Sequence, residues 1–137
     1  MGSQRQPFTN VEVEVAAFIT ADAYADVVGS ELDTLRFASK WLAYNVVESA
    51  NKGATVKIVA SIDGASWNDL RVQDKTGTAF SAADVAVTGN GNQQLFITDD
   101  DVTNSPGTDG GYRYYKMQAK STVGSNPATI KVVGIAK

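Results

Sequence analysis

From Val11 the chain reads VEVEVAAFIT, with Val11, Val13, Val15, Ala17 and Ile19 on one side of a two-residue period and Glu12, Glu14, Ala16 and Phe18 on the other. That is the pattern of a strand with one buried face and one wet face. It returns in Thr55 to Ile62, where Val56, Ile58, Ala60 and Ile62 alternate with Thr55, Lys57, Val59 and Ser61, and reads there as a central strand. In Tyr112 to Ser121 it sets Arg113, Tyr115, Met117 and Ala119 against Tyr112, Tyr114, Lys116 and Gln118. In Ala128 to Ala136 it sets Ile130, Val132, Gly134 and Ala136 against Lys131, Val133 and Ile135. Weaker strand signals cover Trp67 to Gln73, Ala79 to Thr88 and Gln93 to Thr98.

Two regions are less one-sided. Ala21 to Gly29 has local helical preference but is shorter than the roughly 12 to 15 residues a lone helix needs, so it reads as a loop excursion or a short strand around Tyr24 to Val28. Between Glu31 and Glu48, Leu32, Leu35, Phe37 and Trp41 would share a helical face, yet the aromatic and β-branched content of WLAYNVV favours strands.

Turn chemistry punctuates these segments. Ser49 to Gly53 predicts a hairpin from WLAYNVV into Thr55 to Ile62, and Asp63-Gly64 predicts a tight reversal before Trp67. Lys75 to Thr78, Gly89 to Asn92 and Val123 to Pro127 are further reversals, and Asp99 to Gly111 is the longest irregular piece. Short strands at this spacing predict an all-β, single-domain antiparallel β-sandwich, jelly-roll or Greek-key like, of about eight strands over residues 11–137. Residues 1–10 are polar, extended at Pro7 and without period, and read as an N-terminal arm. A frayed end is the plain expectation; Phe8 alone among polar residues makes Gln6, Pro7, Phe8 and Thr9 the candidate contact with a neighbouring subunit.

Composition narrows the chemistry. With 137 residues, 43% hydrophobic and 20% charged, one folded domain with one core is expected. Histidine and cysteine are absent. That removes Ser-His-Asp and Cys-His catalysis, disulfides and thiolate zinc sites. No catalytic residue, resident metal or cofactor is expected. The formal charge of −3 argues against general nucleic-acid binding, which needs a basic face. No apolar run reaches membrane-spanning length, and MGSQRQPFTN has neither the apolar core of a signal peptide nor the myristoylation pattern.

Two local groups carry the remaining chemistry. Asp99, Asp100, Asp101 and Asp109 read as a solvated loop, with a weak calcium site or a contact loop as the alternative. Trp41, Trp67, Tyr112, Tyr114 and Tyr115 read as core or semi-core aromatics, with a sugar-stacking platform as the alternative.

Ser61-x-Asp63-Gly64-x-x-Trp67 resembles the SxDGxxW turn of many phage and bacterial β-sandwich modules, discoidin-like carbohydrate-binding domains among them. Over a wider span, LAYNVVESANKGATVKIVASIDGASWNDL followed by YRYYKMQ and a short apolar terminal strand looks like the small structural proteins of tailed phages. The second resemblance implies a non-enzymatic virion protein, a capsid decoration or tail-associated component partnered by copies of itself and other virion proteins. A glycan-binding module and a surface-filament subunit are the alternatives.

Overall fold

The computed structural model describes residues 11–34, 42–97 and 112–136. Ten strands occur among them: β1 (Val11–Ile19), β2 (Ala25–Asp26), β3 (Leu32–Asp33), β4 (Leu42–Glu48), β5 (Ala54–Ser61), β6 (Asn68–Leu70), β7 (Val85–Val87), β8 (Asn92–Ile97), β9 (Tyr114–Ser121) and β10 (Thr129–Ala136). They form two antiparallel sheets. One runs β1-β10-β4-β8; the other runs β2-β9-β5-β6, with β3 following β2 along β9 and β7 following β6 along β5. Ten strands therefore fill eight positions, four in each sheet.

The connectivity is that of a jelly roll. Passing along the chain, each new position lies in the opposite sheet, except at β5 to β6, where the Asp63-Gly64 turn makes a true hairpin within one sheet. Gly64 has a φ of 81° there, which a β-carbon would oppose. The Asp63 carboxylate accepts from the backbone N–H groups of Ala65 and Ser66 and from the Ser61 hydroxyl, and so closes the turn from inside. The hairpin expected at Ser49 to Gly53 is instead a crossing between sheets, because β4 pairs with β10 and β8 while β5 pairs with β9, β6 and β7. The Gly89 to Asn92 reversal is a second such crossing, from β7 to β8.

Alternation builds the core. Leu42, Tyr44 and Val46 from β4, Leu95 and Ile97 from β8, and Ile130, Val132 and Ala136 from β10 face Val56, Ile58 and Ala60 from β5 and Tyr115, Met117 and Ala119 from β9. Within the four-stranded sheet the side chains crowd at Gly134, which pairs with Tyr44 on one side and Val13 on the other. A β-carbon at Gly134 would stand 2.6 Å from the Tyr44 ring and 3.0 Å from Val13. The ring occupies the place of the missing side chain, and its hydroxyl donates to the Ser30 carbonyl at 2.7 Å. Burial then pushes the phenol pKa far up, so the group remains a neutral donor.

Several side chains depart from the expected sides. The register of β1 against β10 slips between Val15 and Phe18, and this bulge turns Phe18 toward the core while Ile19 stands 68% exposed. Ile62 lies beyond the end of β5 and is 70% exposed, although the period placed it inside. The arm with Gln6, Pro7, Phe8 and Thr9, residue Trp41 and the acidic loop lie outside the described residues.

Candidate interaction faces

A jelly roll buries its inner faces and offers two outer ones, and here the two differ in kind. On the six-stranded sheet the outward positions of β5 and β9 are Thr55, Lys57 and Val59 beside Lys120, Gln118 and Lys116. The charged groups there find partners within the chain. Lys116 pairs with Asp26 at 2.8 Å and lies 4.0 Å over the Trp67 ring. Gln118 donates to the other Asp26 oxygen at 2.9 Å. Lys57 pairs with Asp69 at 3.1 Å and lies over the Tyr24 ring, which Lys120 approaches from 4.9 Å. The Tyr24 hydroxyl bonds to Asp84, and burial together with that bond pushes its pKa up. The Lys116 and Gln118 hydrogen bonds hold the Asp26 carboxyl below its ordinary value. At the sheet's end, Arg113 makes a two-pronged pair with Asp33 at 2.8 and 2.9 Å. This face is closed by its own network.

The four-stranded sheet presents the opposite. Its outward positions are Glu12 and Glu14 on β1, Lys131, Val133 and Ile135 on β10, Ala43, Asn45 and Val47 on β4, and Gln94 and Phe96 on β8. Ala43, Phe96, Val133 and Ile135, with Asn45 and Gln94, line a shallow depression of about 210 Å³. Val133 and Val47 are half-buried and Ile135 is 38% exposed. Among the described residues, no ion pair engages Glu12, Glu14 or Lys131. Apolar surface and unpaired charge therefore occupy the same side of the molecule.

Both sheet crossings near Glu48 are tied by one carboxylate. Glu48 continues the inward parity of Leu42, Tyr44 and Val46, so it ends β4 inside the protein, 1% exposed. Its oxygens accept from the backbone N–H groups of Ala50 at 2.8 Å, Asn90 at 3.0 Å, Lys52 at 3.2 Å and Thr129 at 3.2 Å. Burial works to raise its pKa, but these four donors outweigh burial and hold the carboxyl at about 2. It needs no cation. Sequence reasoning missed this residue, although its parity with Tyr44 and Val46 was readable.

The four candidate aromatics among the described residues, Trp67, Tyr112, Tyr114 and Tyr115, do not assemble as one platform. Tyr115 is fully buried and Tyr112 nearly so. Tyr114 packs beside the Gly64 turn with Arg113 over its ring, and Trp67 lies half-buried under Lys116. No group of three or more metal-ligating side chains occurs among the described residues, and they contain no helix long and apolar enough to cross a membrane.

No family model matches the chain, and no curated protein does. Solved structures do. The SPBc2 prophage-derived protein YomS is similar over 91% of this chain and 95% of its own, at 14% identity and a TM-score of 0.50. A chain of Bacillus endospore appendages, described as disulfide-linked pili, is similar over 94% of this chain and 88% of its own, at 12% identity and a TM-score of 0.45. A chain of sacbrood virus of honeybee covers 98% of this chain and 73% of its own, at 12% identity and a TM-score of 0.44. At these identities the YomS likeness concerns the fold. The discoidin-like reading of the SxDGxxW turn has no counterpart among these similarities.

Proposed function

We propose that this chain is a non-enzymatic structural subunit of a virion, a capsid decoration or tail-associated protein that acts by many protein–protein contacts. The observation that carries the reading is the contrast between the outer faces. One sheet satisfies its own charges, while the other exposes an apolar strip flanked by charges that have no ion-pair partner among the described residues, as a surface meant for another protein does. The lack of histidine and cysteine and the absence of a metal-holding group of side chains among the described residues agree with a role that needs no reaction. A jelly roll alone does not decide function, since the fold serves capsids, lectins and enzymes alike. The prophage origin of YomS, a neighbour in fold, supports a phage setting.

In this reading copies of the chain and other virion proteins are its partners, and weak contacts gain strength from number. The arm of residues 1–10, through Gln6, Pro7, Phe8 and Thr9, supplies an additional contact. The test is quantitative mass spectrometry of particles purified from cells that encode the chain. Co-purification in many copies per particle supports the proposal. Recovery only in the particle-free fraction overturns it. Deleting residues 1–10 is expected to leave the fold intact and prevent incorporation; full incorporation of the truncated chain removes the arm from the account.

A further inference from the structure

The outer face of the four-stranded sheet is laid out in rows across the strands. Glu12 stands beside Ile135 and Ala43; Glu14 stands beside Val133 and Asn45; Lys131, one step further along β10, stands beside Val47. Glu12 lies at one end, Lys131 lies at the other, and Val133, with Glu14 beside it, marks the midpoint.

A two-fold axis through Val133, lying in the plane of contact and across the strands, exchanges the first and third rows. Lys131 of one copy then meets Ile135 and Glu12 of the second, its stem covering the isoleucine and its ammonium reaching the carboxylate. Val47 covers Ala43, and Val133 meets its own equivalent. Glu14 falls at the rim, where solvent screens its symmetry mate and Lys131 of the second copy stands nearby. We propose that two copies of this chain pair through this face about that axis.

A second copy is favoured over an unrelated partner because the layout is self-complementary: the rotation that puts apolar on apolar also puts base on acid. Four strands about 4.8 Å apart and seven residues long at about 3.3 Å each give a footprint of roughly 450 Å² per copy. The pair thus buries about 900 Å² before side-chain relief is counted, the range of a weak contact that repetition reinforces. The pairing deepens the structural-subunit reading by naming one of its contacts. It is measured on purified protein, so it can fail while the chain is still found in particles.

Sedimentation equilibrium of the full chain from micromolar to millimolar concentration, at low salt, is the test. The weight-average mass should rise toward twice the monomer mass and fall back as salt is added. Val133→Lys should abolish the rise, with a thermal transition at high dilution showing that the variant folds. Lys131→Glu and Glu12→Lys should each weaken pairing roughly 3- to 30-fold, since each reversal disturbs two symmetry-related pairs, and the double variant should recover most of the loss. Lys120→Glu, on the other sheet, should pair as the parent does. A parent chain monomeric at the highest concentration, a Val133→Lys variant that pairs normally, or a double reversal that recovers nothing overturns the proposal.

Discussion

Replacing Glu48 by Gln removes the carboxylate that joins β4, both nearby crossings and the start of β10, while leaving side-chain volume almost unchanged. The amide keeps one acceptor oxygen and turns an NH₂ toward donors that previously faced an anion. Of the four backbone N–H groups that Glu48 accepts, about two lose their acceptor. An orphaned buried donor costs about 1–3 kcal/mol; these two are part-buried, so the expected loss stays under the full range, at about 2–5 kcal/mol. The pKa gives a second route. A shift from the ordinary 4.5 to about 2 corresponds to about 3 kcal/mol. The two routes agree.

The pH dependence fixes the sign. A carboxyl whose pKa is lowered on folding stabilises the native state above its unfolded value of 4.5, and that stabilisation is lost as pH falls toward about 2. Urea denaturation of the parent and Glu48→Gln should therefore differ by about 2–5 kcal/mol at neutral pH. The gap should close progressively between about pH 4.5 and pH 2. Asp26, Asp63 and Asp74, whose pKa values are also lowered, act equally in both proteins and cancel from the difference. A neutral-pH gap below about 0.5 kcal/mol, or one unchanged on acidification, would refute the claim that Glu48 ties these loops.

Three further outcomes follow from the same contacts. Gly134→Ala places a methyl group 2.6 Å from the Tyr44 ring and should cost about 1–3 kcal/mol in denaturant, with Gly134→Val worse. Tyr44→Phe should cost about 1–2 kcal/mol, by leaving the Ser30 carbonyl without its donor, and should relieve none of the Gly134→Ala defect, because the ring remains. Asp63→Ala should lower the melting temperature and speed hydrogen exchange at Ala65 and Ser66, whose N–H groups it accepts; unchanged exchange would show that Gly64 alone sets the turn.

The sequence made the strands legible where alternation was strict. Tyr115, Met117 and Ala119 in β9, and Ile130, Val132 and Ala136 in β10, lie inside as their period requires. It could not separate a hairpin from a sandwich corner, because Ser49 to Gly53 has turn chemistry suited to either. The choice is made by the distant partners β10 and β9 rather than by the loop. The bulge that turns Phe18 inward was hidden for a related reason, since Ala16 and Ala17 carry almost no preference for either side. The donors that hold Glu48 come from as far as Thr129, 81 positions away, and have no signature near the residue itself. For the candidate site, the outward set Lys131, Val133 and Ile135 was readable, but its junction with Ala43, Phe96 and the two β1 glutamates required the order of the strands.

The most direct test of the account is cryo-electron microscopy of the purified particle at a resolution that orients each copy of this chain. The account predicts many copies with Val133 and Ile135 covered by protein and with Trp67, Lys57 and Lys120 facing solvent. Copies held through the lysine and aromatic face, with the Val133 face open to water, would contradict it.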